Sequence, residues 1–316
     1  MELLNKLKNE YKNIGNTPLI KMVFEFEGQR KTVYAKQESL NPSGSIKVRP
    51  AYQILYDAIE SGELKEGQRV VEVTSGNMGI GLTYLCVKIG NPITILMPKT
   101  MSQERIKILR DMGADVVLTN DFLEAFKMAD DYIANGAYAS KQFDNKSNPK
   151  AQENTAKEIA AKTTDFEAFI SGVGTGGTLM GIGGYLKNNY GTKMLAIDPK
   201  ESSLLLFGKA QGPHKIQGLS DQIIPGLYDS KMVDEIISIS SDDAIVMARR
   251  ICNEFNIKVG ISSGANVLGA LLSNYNSCAT VFADDDKKYL STDLYNEKIT
   301  SELVDKVKLI EYSFVK

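Results

Sequence analysis

One lysine stands where an amine could do covalent chemistry. Residues 41–50 read NPSGSIKVRP, small and turn-forming residues that lead into a helix. Proline is tolerated only near a helix start, so Pro50 puts Lys47 at or just before the first turn. The positive end of the helix dipole disfavours an ammonium ion there, which enriches the free amine that an imine requires. From this segment alone, an exposed lysine at a helix start is the plainer reading, since lysine is mostly a surface residue.

Three further segments carry groups suited to holding anions. Residues 71–80, VEVTSGNMGI, place Thr74, Ser75, Gly76 and Asn77 directly after an apolar strand, where the amides of a following helix can hold a carboxylate. Residues 168–184, AFISGVGTGGTLMGIGG, form the strongest phosphate signal. Gly174, Gly176 and Gly177 allow close backbone approach, and Thr175 and Thr178 add hydroxyls at a helix N-terminus. No lysine follows the last glycine, so this is not a Walker loop, but GxGxxG is matched literally at Gly172, Gly174 and Gly177. With Asp198 closing the next strand, a nicotinamide dinucleotide and an oxidoreductase are a rival reading of this one segment. Residues 259–270, VGISSGANVLGA, put Ser262 and Ser263 at a strand-to-helix turn. A serine facing a pyridine nitrogen leaves the ring unprotonated and a moderate electron sink, while a plain N-cap accounts for the same residues.

The elements that must position these groups alternate. Strands are expected at 32–35, 69–73, 93–97, 115–118, 168–171, 193–197, 235–239 and 280–282. Amphipathic helices are expected at 51–59, 102–112 and 154–161. Such alternation predicts an α/β fold with parallel sheets covered by helices. At 316 residues about two domains are expected, and the polar stretch QFDNKSNP at 142–149 is the best boundary, dividing 1–145 from 146–316.

Composition narrows the function. A net charge of −2 with 24% charged residues gives no electrostatic footprint for nucleic acid. No stretch approaches the roughly 20 apolar residues of a membrane span, and the first thirteen residues lack a secretory pattern. Cys86, Cys252 and Cys278 are odd in number and lack metal-ligand spacing, which fits buried thiols in a cytoplasmic protein. His214 is the only histidine, so a His-rich metal site and two-imidazole mechanisms are excluded and no metal is expected.

Taken in order, these segments resemble the cysteine synthase and cystathionine β-synthase group of fold type II pyridoxal 5'-phosphate (PLP) enzymes, in its cysteine synthase branch. The likeness runs from GNTPLIKM at 15–22 through MPKTMSQER at 97–105 and GPHKIQG at 212–218 to YLST at 289–292. It implies two domains, each with a mainly parallel twisted sheet, the cofactor in the cleft between them, and residues of about 13–34 joining the second domain's sheet. It further implies that Lys47 forms the imine and moves the α-proton. Asn77 would bond the cofactor's ring oxygen, Gly174, Thr175, Gly176, Gly177 and Thr178 cradle its phosphate, and Ser262 face the pyridine nitrogen. Thr74, Ser75, Gly76, the residue at 78 and Gln142 would hold the substrate α-carboxylate. A homodimer, an N-terminal domain that closes over an α-aminoacrylate, and peptide-inserting partner proteins also belong to the family.

Two positions depart from that pattern. Met78 stands where cysteine synthases have threonine in TSGNTG, and Asp221, in GLSDQIIPG, stands where they have small residues. A carboxylate there can act as general base on water, although a solvated turn residue is the plainer reading. Together they favour an enzyme that takes L-cysteine, expels sulfide and adds water to give L-serine, with O-acetyl-L-serine plus sulfide giving L-cysteine as the alternative.

Overall fold

The computed structural model describes residues 2–74, 76–219 and 223–316. In chain order the elements are α1 (Glu2–Tyr11), β1 (Leu19–Phe26), β2 (Gln29–Gln37), α2 (Val48–Ser61), β3 (Val70–Val73), α3 (Asn77–Ile89), β4 (Ile93–Pro98), α4 (Gln103–Asp111), β5 (Asp115–Thr119), α5 (Phe122–Ala134), β6 (Tyr138–Ala139), α6 (Ser147–Ala160), β7 (Ala168–Gly172), α7 (Gly184–Tyr190), β8 (Lys193–Pro199), α8 (Leu204–Phe207), β9 (Glu235–Ile239), α9 (Ser241–Glu254), α10 (Ile261–Leu272), β10 (Ser277–Phe282), α11 (Glu302–Asp305) and β11 (Val307–Phe314). A π-helical turn, Leu179–Gly183, runs into α7.

Two sheets result. The smaller has the order β5-β4-β3-β6, with every pair parallel. The larger has the order β11-β1-β2-β10-β7-β8-β9, parallel from β2 to β9, with β1 antiparallel to both neighbours. Both faces of the larger sheet are covered, so β7 is buried along nearly its whole length. Its residues alternate between two cores. Ala168 and Ile170 pack with residues of α9 and α10, and Phe169 packs with Ala156 and Ile159 of α6. Around the smaller sheet, α1, α2 and α3 contribute Leu7, Leu55 and Leu85 to a third core.

The eight expected strands are present, while β6, β11 and, apart from the family resemblance that put residues of about 13–34 in this sheet, β1 were not anticipated. The antiparallel strands β1 and β11 carry no α/β alternation around them, and β6 has only two residues. Helix α6 starts at Ser147, earlier than the expected 154, because Pro149 costs nothing in a first turn and Asn145 Oδ1 caps the Ser147 amide at 3.0 Å. Residues 19–37 lie in the larger sheet, and position 146 directly precedes α6.

A buried ionic cluster fixes the start of α2. Arg49 donates to Glu38 at 2.7 and 2.8 Å and to Glu158 at 2.7 and 2.8 Å. Lys36 Nζ lies 2.7 Å from Glu158, and Thr17 Oγ1 and Asn41 Nδ2 donate to Glu38 at 2.6 and 2.7 Å. Burial opposes both carboxylate charges, yet Arg49 and Lys36 outweigh it. Glu38 is held below the ordinary range, and Glu158 falls to about 2. Residues two positions from Lys47 are thereby tied to β2 and α6.

Candidate active site

Asn77 and Asp284, which follow β3 of the smaller sheet and β10 of the larger, are hydrogen-bonded to each other, so carboxyl ends of the two sheets, where parallel α/β sheets bind ligands, meet here with β7 beside β10. Lys47 is the half-buried residue preceding α2, and its amide donates to Ser45 Oγ at 3.3 Å. The segment is pinned to the end of β10 by a Ser45–Asp284 bridge and by the Ile46 amide on Ala283 O at 2.8 Å.

Asp284 joins the pieces. Its carboxylate accepts from Asn77 Nδ2 at 2.7 Å and from the Tyr289 hydroxyl at 2.8 Å, and its carbonyl accepts from the Gly260 amide, the cap of α10, at 3.1 Å. Burial lifts the Tyr289 phenol far above its ordinary value, and the Asp284 charge adds to the effect. Ser262 and Ser263 occupy the first turn of α10, both buried.

The phosphate-type loop follows β7. Its chain turns at Gly176, whose φ of 84° suits glycine, and Gly177 then opens the helical run where any Cβ would collide with Asn148 Oδ1. Asn148 Nδ2 in turn donates to Thr175 Oγ1 at 3.0 Å and to Gln142 O at 2.9 Å. The loop is therefore fastened to the segment that carries Gln142. The Gly177 amide donates to Thr175 Oγ1 at 3.4 Å, and the first amides of a helix, which lack intrahelical partners, suit an anion.

Before α3, Thr74 is buried and its hydroxyl accepts the Gly76 amide at 3.2 Å. Gly76 precedes the helix and supplies no side-chain cap, and opening amides of a helix suit a carboxylate. The Met78 side chain does not reach such a ligand: it is 2% exposed and belongs to the apolar core with Val48 and Ile80. Only its main chain can contribute at that position. Ser75 and Asp221 lie outside the described residues.

Five further contributors were given no role from the sequence. Asp284 sits in the charged run ADDDKK, which reads as a solvated loop. Arg105 stands over the Tyr289 ring at 5.1 Å and bonds Gln217, while Glu104 takes the Ser291 amide at 2.9 Å, so α4 is clipped across the site. Asn148 supports the loop as described. Glu72, on β3, is fully enclosed and accepts from Ser140 Oγ and, at 2.7 Å, from Gln142 Nε2. Burial pushes its carboxyl up to about 7, against those hydrogen bonds and the Lys47 charge.

The residues present fit PLP. Asn77 Oδ1, Ser263 Oγ and Asp284 Oδ1 are buried without a partner in the protein, on three segments that meet at this site. Buried polar groups are normally bonded, so three orphans in one place mark where a polar ligand belongs. A single amine at Lys47 and an anion loop at 174–178 complete the set that a phosphorylated aldehyde needs. A dinucleotide fits less well. One oxygen of the buried Asp198 carboxylate accepts the Leu205 and Leu206 amides at 2.8 and 3.3 Å, so the acidic group that a ribose would need is already engaged by the main chain. Among the described residues no cluster of His, Cys, Asp or Glu could hold a metal, and no helix is long and apolar enough to cross a membrane.

Comparison with known proteins agrees. The family model described as pyridoxal-phosphate dependent enzyme matches residues 11–284. A cysteine synthase of Staphylococcus aureus (strain Mu50) is 40% identical over 298 residues, 90% of this chain and 95% of that protein. Cysteine synthase A of Escherichia coli K12 is 38% identical over 311 residues, 92% of this chain and 95% of that protein. A hydrogen sulfide-producing enzyme from Fusobacterium nucleatum superposes with a TM-score of 0.92 at 36% identity, covering 98% of this chain and 99% of that one. An aspartate-to-asparagine mutant of a hydrogen sulfide-producing enzyme, in lysine-dimethylated form, has been solved with an α-aminoacrylate intermediate, with a TM-score of 0.92, 36% identity and coverage of 97% and 98%.

Proposed function

The chain belongs to the family of pyridoxal-phosphate dependent enzymes, and from that premise we propose that it converts L-cysteine and water into L-serine and hydrogen sulfide. It is a PLP enzyme of cysteine metabolism that replaces or eliminates a β-substituent. When bound, PLP supplies an electron sink that lets the β-substituent leave once the α-proton is gone.

In this reading Lys47 carries the cofactor and moves the α-proton at its Nζ. Asn77 bonds the ring oxygen, residues 174–178 take the phosphate, and Ser262 faces the pyridine nitrogen. Thr74, Ser75, Gly76 and Gln142 bind the α-carboxylate. Asp221 takes a proton from the water that attacks the β-carbon, replacing the departed sulfide. The likeness to the sulfide-producing enzyme over nearly the full chain carries this direction. An aspartate substitution in such an enzyme accompanies its captured intermediate, which suits a carboxylate acting after sulfide has left. The identity to cysteine synthases favours a second reading, O-acetyl-L-serine plus sulfide giving L-cysteine and acetate. The enzyme works as a homodimer in both readings, as the family resemblance implies.

Incubating the holoenzyme with L-cysteine alone decides between them. Equal amounts of sulfide and serine are expected, with serine abolished in Asp221→Asn and the cofactor's visible absorbance lost in Lys47→Ala. Cysteine formation from O-acetyl-L-serine with no serine from cysteine would establish the second reading.

A further inference from the structure

Glu72 is a buried carboxylate that the reaction as described does not use. It sits in the middle of β3, 5% exposed and opposite Ile95 of β4, on the face of the sheet that carries Val70 and packs against the core shared with α2 and α3, away from α5. Its two oxygens are engaged separately, one by Ser140 Oγ and one by Gln142 Nε2 at 2.7 Å, and the Ser140 main-chain amide also bonds the carboxylate. The ionisable groups that act on it, among the described residues, are Lys47 from the start of α2 and Tyr138 from β6, and the Tyr138 phenol is itself pushed up by burial and by Glu63, Glu72 and Asp57.

We propose that Glu72 is a positioning residue that aims the Gln142 amide at the substrate α-carboxylate and takes up one proton from solvent when that carboxylate binds. This inference rests on the assignment of Gln142 to the carboxylate site. A primary amide nitrogen has two N–H donors. One is held by Glu72, so the second has a fixed direction and is available to a ligand. A bound carboxylate on that second donor stands across a single amide from Glu72, in surroundings where two like charges repel strongly. Lys47 is the nearby counter-charge, and tying its nitrogen to the cofactor alters that balance. The simplest relief is a proton on the Glu72 oxygen facing Ser140. The Ser140 hydroxyl then turns from donor to acceptor, and the Gln142 bond to the other oxygen is kept.

The sign follows from linkage. Because binding favours protonated Glu72, affinity is full below about 7, where burial already places this carboxyl, and weakens as pH rises, by up to roughly tenfold per unit.

The test uses the holoenzyme with L-serine as the probe, titrated in two buffers of different ionisation enthalpy. Wild type is expected to take up a fraction of a proton above pH 7 and to show a Kd that rises with pH. Glu72→Gln, which keeps the shape and the Gln142 contact, is expected to lose that part of the proton uptake and of the slope. If it keeps both at the wild-type level, the proposal is overturned. Ser140→Ala gives an independent check, because removing a bond that favours the charged carboxylate moves the onset of weakening to higher pH. An onset that stays in place overturns the proposal as well. Gln142→Ala separates the two levels. If it binds L-serine as tightly as wild type, the carboxylate assignment of Gln142 is wrong. If it binds weakly while Glu72→Gln keeps the wild-type profile, only the role of Glu72 fails.

Discussion

Removing one member of the ionic cluster behind Lys47 should have a cost that changes with pH. Glu158 contacts Arg49 through both oxygens and Lys36 through one, with its side chain 21% exposed. Its carboxyl falls from 4.5 to about 2 in the folded protein. The depressed folded value means stability that is complete above about 4.5 and is lost as pH falls toward 2. At about 1.4 kcal/mol per unit, the native state gains about 3 kcal/mol at neutral pH. Glu158→Gln should remove that amount, in line with the roughly 3–5 kcal/mol of other broken buried pairs. For domains of ordinary size, this corresponds to a fall in Tm of roughly 6–12 °C. Urea unfolding near pH 7 and again near pH 3.5 provides the check. The variant's deficit should shrink by about 1.4 kcal/mol between the two, because the unfolded carboxyl is by then mostly protonated while the folded one is not. A deficit of equal size at both pH values, or one under about 1 kcal/mol at neutral pH, would refute the charge-based account.

Gly177→Ala places a Cβ 2.0 Å from Asn148 Oδ1, and displacing Asn148 breaks its bonds to Thr175 and Gln142. PLP affinity should fall by tenfold or more in equilibrium dialysis, and a variant that binds PLP normally would show that the loop needs no such contact. Tyr289→Phe leaves Asp284 without one donor, and a loss of roughly 1–3 kcal/mol in unfolding free energy is expected. An unchanged unfolding midpoint would remove that bond from the architecture.

The glycine-bearing loops were legible in the sequence because their constraints are local. A backbone that turns at positive φ, or that approaches an anion, needs particular residues at particular positions, and Gly176 and Gly177 meet those needs within a few residues of each other. Glu72 and Asp284 were not legible, for the opposite reason. A glutamate within VEV and an aspartate within ADDDKK look like ordinary surface charges. What encloses them comes from Ser140 and Gln142 in one case and from Asn77 and Tyr289 in the other. Helix periodicity located α2 and α4 but missed the opening of α6, whose first turn is polar and is secured by tertiary bonds from Asp57 to Ser147 and Lys150. Asp198 had the spacing of a dinucleotide ligand, and only its bonds to two main-chain amides reveal its employment elsewhere.

The larger sheet also has a consequence for biosynthesis. Strand β2 is flanked on one side by β10, with Thr32 opposite Ser277, so two segments separated by most of the polypeptide lie side by side at its centre. As the nascent chain leaves the ribosome, the β1–β2 hairpin emerges early and must wait with both edges open, the β2 edge until β10 has been made and the β1 edge until β11 has. Pairings this remote in sequence form slowly and leave unpaired edges exposed meanwhile. The hairpin of residues 19–37 is therefore where a chaperone has reason to shield the newborn protein, and where truncated products would be prone to aggregate.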